Sequence, residues 1–264
     1  GVRQRLVVAV AEAEVPMTVR VEFCGGPASG KSTLCAGALR ELARRGRPFL
    51  SRAAMVDAGL RKRDFGAIGN ALGALWPHWR RTFLGLPRGL NDWHRFVVDR
   101  PEYAALCHRW LAEAAAEAAW RDAVHYSLLT SAFEYQLARA VEKPVLMDEG
   151  FAQRFFSLRG YRGLGQAGDA ALYAAAMPRP SALVWVDAPP AACLERIRAR
   201  DHAPVLLAPV PERLWASRFA EGRELLAALA AELERSGVPV LRVDGAGNLD
   251  AEIGRIADFA GSQP

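Results

Sequence analysis

The chain has 264 residues, 51% of them hydrophobic, and a formal net charge of +5. That is enough apolar residue to bury a full core, as one large domain or a domain with an inserted subdomain. No apolar run reaches the length of a membrane span, and the opening "RLVVAVAEAEVP" is too short and too acidic for a signal peptide, so a cytoplasmic protein is expected.

Residues 1–16 precede Met17 and the first apolar strand, and they are expected to be a leader or an upstream extension with no assigned role. The stretch Thr18 to Cys24 alternates as a strand and runs into "GGPASGKST". The spacing Gly25-x-x-x-x-Gly30-Lys31-Ser32 is that of a phosphate-binding loop, in which successive backbone N–H groups surround a phosphate chain and glycine permits the close approach. Gly25, Gly26, Pro27, Ala28, Ser29, Gly30, Lys31, Ser32 and Thr33 are therefore the candidate nucleotide cradle. Lys31 is placed to reach the β- and γ-phosphates of ATP, Ser32 to ligate Mg²⁺, and the start of the next helix, expected over Leu34 to Ala43, adds its positive end.

A short strand is expected at Pro48 to Ser51, and the segment from about 58 to 142 contains no comparable strand and reads as helical. Within it, residues 102–143 are long enough for one helix of about 57 Å over the central 38 residues, with a break expected near His125 to Thr130. Arginine clusters here: "RKR" at 61–63, "WRR" at 79–81, then Arg88, Arg95, Arg100 and Arg109. Lysine occurs only at 31, 62 and 143. The cluster is read as a solvated basic face or as the wall of a pocket for an anionic substrate.

The next strand, Pro144 to Asp148 in "KPVLMDEGFAQRFF", delivers Asp148 and Glu149 to the carboxyl edge of a parallel sheet, where the phosphate loop also lies. Asp148 is expected to hold Mg²⁺ and Glu149 to orient or deprotonate a nucleophile. A strand at Ala182 to Asp187 leads into "PPAACLERIRARDHAP", a helix on which Arg196 and Arg200 share one face and Arg198 does not. Two guanidinium groups on one face suit a lid that closes over transferring phosphate. The fifth strand is Pro239 to Val243, so strands alternate with helices in a parallel α/β plan. Cys24, Cys35, Cys107 and Cys193 lack metal or redox spacing and are expected to be reduced and buried.

Taken in order, the phosphate loop, the strand ending in "DE", the strand "LVWVDAPP", the arginine helix and the final "VLRVDG" resemble the P-loop nucleoside and nucleotide kinases, especially the thymidylate kinase and deoxynucleoside kinase branch. The resemblance implies a three-layer P-loop NTPase fold with a five-stranded parallel sheet, over a single domain at 17–262. A helical substrate-binding region would occupy about 57–142 and a lid about 190–212. It implies an ATP- and Mg²⁺-dependent kinase acting on a small hydroxyl or phosphate acceptor, anionic or nucleoside-like. It further implies an acidic residue after the second strand as base or sugar ligand, for which "FLSRAAMVD" offers Asp57. Where the branch carries arginine after the strand-end acid this chain has Glu149, and Arg154 is the substitute for that substrate contact.

Two other readings stand beside it. The stretch "WPHWRRTFLGLPRGLNDWHRF", with Trp76, Trp79, Trp93 and Phe96, suits nucleic-acid binding by stacking and phosphate contacts. Sulfotransferases also use a loop of this kind, though the complete Lys31-Ser32 motif, the strand-end carboxylates and the arginine helix favour a kinase.

Overall fold

In the first strand, β1 (Arg20–Gly25), Val21 and Phe23 pack against one face of the sheet while Glu22 and Cys24 lie on the other. All six residues are buried, which makes β1 a central strand. The computed structural model describes residues 18–64, 85–113, 118–200, 207 and 210–263. The expectations for residues 1–16, Trp76, "WRR" at 79–81 and most of 201–209, and those for the side chains of 61–63 and Arg88, lie outside the described residues.

After β1 come α1 (Lys31–Arg44), β2 (Leu50–Ser51) and α2 (Arg52–Asp64), then α3 (Gly85–Asp99), α4 (Pro101–Glu113) and α5 (Ala118–Ala138). The chain returns to the sheet in β3 (Val145–Met147), leaves through α6 (Phe151–Phe155) and a π-helical turn (Phe156–Gly160), and continues with α7 (Asp169–Ala176). Then follow β4 (Ala182–Asp187), α8 (Pro190–Arg198), α9 (Trp215–Arg235), β5 (Val240–Asp244) and α10 (Leu249–Gly261).

The five strands form one parallel sheet in the order β2-β3-β1-β4-β5. One face is closed by α1 and α10, whose Leu34, Ala38, Leu42, Ile256 and Ala260 pack on Val21, Phe23, Val184 and Val243. On the other face, Leu226, Leu229 and Leu233 of α9 join Phe155 and the aromatic residues of α4 and α5 in one continuous core over Cys24 and Leu183. A third cluster seats α2 and the end of α5 on Val145 and Met147 of β3. This is a three-layer α/β fold with the helical segment inserted between β2 and β3.

The register aligns the carboxyl ends: Gly25 sits beside Val186, and Glu22 beside Met147. Because β2 and β4 lie on opposite sides of β1, the chain reverses direction across the sheet there, and ligands of open α/β sheets bind outside such a reversal.

Three local expectations are corrected. The first helix begins at Lys31 rather than Leu34, because Gly30 at φ 101° turns the chain directly into it and Lys-Ser-Thr becomes its first turn. The helix at 118–138 runs unbroken through His125 to Thr130. There the hydroxyls of Ser127 and Thr130 donate back to the carbonyls of Ala123 and Tyr126, a bond that fits within a helix, and Val124 and Leu128 keep the buried face continuous. Finally, β3 stops at Met147, so Asp148 and Glu149 stand in the turn beyond the strand.

Candidate active site

The phosphate-loop residues Pro27 through Thr33 line a cavity of about 210 Å³ together with Glu149, Gln153, Tyr161 and Arg200. The loop shape depends on two glycines. A Cβ on Gly25 would stand 2.6 Å from the Val186 carbonyl oxygen and 2.7 Å from Ser29 Oγ, and Gly30 adopts the left-handed φ of 101°. Ala28 also takes a left-handed conformation, φ 58°, which costs a residue with a Cβ and belongs to a turn shaped by its task.

Lys31 is buried, and its ammonium donates to the carbonyls of Gly25 at 2.9 Å and Gly26 at 2.8 Å. Burial pulls its pKa below the ordinary value, and the Glu149 carboxylate is the largest of the charges opposing that pull. Ser32 Oγ donates to Asp148 Oδ2 at 3.2 Å, bringing the first turn of α1 against the turn after β3. The Ser29 hydroxyl is buried with no hydrogen-bond partner among the described residues.

The turn bearing Asp148 and Glu149 is held from below. Glu22 in β1 accepts from the backbone N–H of Ala152 at 3.0 Å, in the first turn of α6, and a Cβ on Gly150 would lie 2.2 Å from the Glu22 carboxyl carbon. Glu22 pairs with Arg20 at 2.8 Å as an ion pair rather than an aligned hydrogen bond, and the Arg20 guanidinium donates to the carbonyls of Pro178 and Arg179. Gln153, one turn into α6, accepts from the Gly25 N–H at 3.0 Å and so ties the acidic turn to the phosphate loop.

Arg154 is buried behind Glu149, donating to Ser131 Oγ at 2.9 Å and to Glu149 Oε2 at 3.4 Å. Asp57, on α2, is not part of the cavity wall. Directly after β2, Arg52 reaches the helical segment, its Nε donating to Glu134 Oε1 at 2.7 Å. Burial works against the Arg52 charge, but Glu134 more than offsets it and its pKa is raised; Glu134, nearly enclosed, is raised by burial.

On α8, Arg196 donates to the carbonyls of Ala28 at 3.1 Å and Gly245 at 3.0 Å, bridging the phosphate loop and the loop after β5. Arg200 borders the cavity, and Arg198 turns away to pair with Glu212 at 3.1 Å. Of the expected residues, the fold thus gathers the loop, Asp148, Glu149, Arg196 and Arg200 at one edge of the sheet.

Sequence reasoning missed Gln153, Tyr161, Arg52 and Glu134. Gln153 and Arg52 sit directly beside motifs that were read, in "DEGFAQR" and "FLSR". Glu134 and Tyr161 carry no local signal. All four cysteines are free and buried, and burial pushes the thiols of Cys24, Cys35 and Cys107 up to about 12, leaving them unreactive. In the aromatic stretch, Phe96 is buried in the core and Trp93 packs against it. No helix among the described residues is long and apolar enough to cross a membrane.

No family model matches the chain, and no curated protein matches it. Among solved structures, the chain is similar to a deoxyadenosine kinase from M. mycoides, solved with bound dCTP, at 9% identity and a TM-score of 0.47, over 92% of this chain and 100% of that one.

Proposed function

We propose that this protein is an ATP- and Mg²⁺-dependent phosphotransferase, a small-molecule kinase of the nucleoside and nucleotide kinase kind. The observation that carries the reading is the convergence of Lys31, Ser32 and Asp148 at the carboxyl edge of β1 and β3, with Glu149 and Arg200 on the same cavity.

The residues fit both implied groups. The loop curls around its own Lys31 and leaves the Ser29 hydroxyl without a partner among the described residues, a donor-rich concavity suited to phosphate oxygens. For the metal, Ser32 Oγ and Asp148 Oδ2 offer two hard oxygen donors. Among the described residues no cluster of three or more metal-binding side chains exists. Two protein oxygens suit Mg²⁺, which completes its shell with phosphate and water. When bound, the ion supplies neutralisation of charge on the phosphate oxygens.

The chain's own groups do the remaining work by position and charge. Lys31 exchanges its loop carbonyls for phosphate oxygens, and its loss of solvent strengthens that contact. Arg200 faces the cavity and stabilises the charge that develops in transfer. Arg196 holds the loop against Gly245, fixing the distance between the phosphate cradle and the end of β5. Glu149, 40% exposed, is available to take the proton of an acceptor hydroxyl, and Arg154 fixes its orientation. The acceptor enters from the helical segment between β2 and β3, with Arg154 and Arg52 as its basic neighbours and Asp57 as an outlying candidate on α2.

The test is transfer of radiolabelled γ-phosphate from ATP to a panel of nucleosides, nucleotides, sugars and short oligonucleotides. Label in a small acceptor, dependent on Mg²⁺ and abolished in Lys31→Ala, is the expected result. Label in oligonucleotides alone, or no label in any acceptor, rejects this reading.

A further inference from the structure

Tyr161 enters the cavity wall through an irregularity of the backbone. After α6 the chain makes i→i−5 bonds, Tyr161 N–H to Phe156 C=O at 3.3 Å and Leu164 N–H to Arg159 C=O at 3.0 Å, the signature of a π-helical turn. Such turns carry one residue more than an α-turn and occur mostly at functional sites. Since each helical residue advances about 100°, the extra one rotates everything after it by roughly that angle, and Tyr161 faces the phosphate loop as a result.

The turn is anchored firmly. The buried Arg159 guanidinium donates to Asp169 at 2.7 Å and Glu113 at 2.7 Å, and lies 4.6 Å from the centre of the Trp110 ring. Phe156 packs edge-on against Tyr161 at 4.8 Å and is seated on Gly222, where a Cβ would stand 2.1 Å from its ring. Packing therefore holds the Tyr161 ring in place without its hydroxyl. Tyr161 is 7% exposed, it borders the cavity of Lys31, Ser32 and Glu149, and its hydroxyl makes no hydrogen bond to any described residue. Burial, with Glu149 nearby, raises the phenol's pKa, so the group is a proton donor rather than an anion.

We infer that the Tyr161 hydroxyl is a further substrate-contacting group of this site, donating a hydrogen bond to the terminal phosphoryl group of the bound nucleotide. The inference rests on the phosphotransferase reading. A cavity walled by phosphate-loop amides on one side leaves the terminal phosphate's outer oxygens facing α6 and the π-turn, and a neutral hydroxyl donor there adds a contact that a diphosphate lacks. Tyr161 thereby discriminates triphosphate from diphosphate, the distinction a phosphoryl donor site needs for product to leave.

Calorimetric titration of the wild type and Tyr161→Phe with Mg·ADP and with Mg·AMP-PNP, a non-transferring triphosphate, tests this. The substitution keeps the ring and its packing and removes only the hydroxyl. Affinity for ADP is expected to stay within about two-fold while that for AMP-PNP falls about ten-fold, the scale of one hydrogen bond to a charged group. Unchanged AMP-PNP affinity, or an equal loss for both nucleotides, overturns the assignment. Wild-type protein that binds neither nucleotide overturns the phosphotransferase reading itself, so the two failures are told apart by the wild-type titration alone.

Discussion

The hydroxyl of Ser32 donates to Oδ2 of Asp148 at 3.2 Å, although 116 residues separate the two in the chain. Parallel pairing of β1 with β3 brings them together, since it sets the first turn of α1 beside the turn that follows Met147. Asp148 is half-buried there and Ser32 exposed, so both oxygens are open to an ion.

Asp148→Asn keeps the shape of the side chain and removes the charge that would hold the cation. The half-saturating Mg²⁺ concentration for ATP turnover is expected to rise ten-fold or more, about 1.4 kcal/mol, while metal-free nucleotide binding changes little. Titrating Mg²⁺ at fixed ATP measures it, and an unmoved Mg²⁺ midpoint would make Asp148 structural.

Arg198 is the last residue of α8 and Arg200, expected on the same helix as Arg196, lies just beyond its C-cap Ala199, where the chain has left the helix; the two arginines, two residues apart, allow an internal comparison. Arg200 borders the cavity and Arg198 pairs with Glu212 at the surface. Arg200→Ala should lower turnover by about ten-fold or more, whereas Arg198→Ala should leave it within about two-fold, because surface ion pairs contribute little. Steady-state rates at low salt and near 0.5 M salt decide the matter: a clamp in close contact persists at high salt, and long-range steering fades. Equal losses in the two variants would remove the distinction.

Glu22 has no access to solvent and joins Arg20 to the first turn of α6. Glu22→Ala leaves the Arg20 charge buried and the Ala152 N–H unpaired, so stability should fall by about 3–5 kcal/mol. Urea unfolding followed by circular dichroism reads the change. A loss below about 1 kcal/mol would show that the pair does not pin the acidic turn.

Asp187, at the end of β4, is gripped by Arg223 at 2.5 and 2.9 Å and by Arg242. Its carboxyl is held below the ordinary 3.8, chiefly by Arg223 against the opposing effect of burial, with Arg242 adding to the grip. A pKa depressed by folding contributes stability that is present above the unfolded value and lost as pH falls through the folded one. Asp187→Asn should therefore melt below the wild type at pH 7, and the gap should close below about pH 4. Melting temperatures from pH 7 down to about 2.5 test it, and a gap independent of pH would contradict the ion-pair account.

What the sequence determined by itself is what depends on neighbours in the chain. The phosphate loop is legible because its glycines, Lys31 and Ser32 act through one continuous turn. The five strands are legible because apolar runs between helical segments have few other uses in a parallel sheet. The expected break near His125 to Thr130 failed because it rested on the length of the helical stretch alone, whereas the buried face of Val124 and Leu128 carries the helix through. Pairing across long stretches of chain was decided only in three dimensions. Sheet order sets Ser32 against Asp148, the ion pair of Arg20 and Glu22 fixes the turn beneath them, and Arg52 meets the helical segment through Glu134. The π-turn that aims Tyr161 is of the same kind. Arg159 holds it through Asp169, Glu113 and Trp110, which come from two other helices, and no local pattern encodes a rotation that distant partners stabilise.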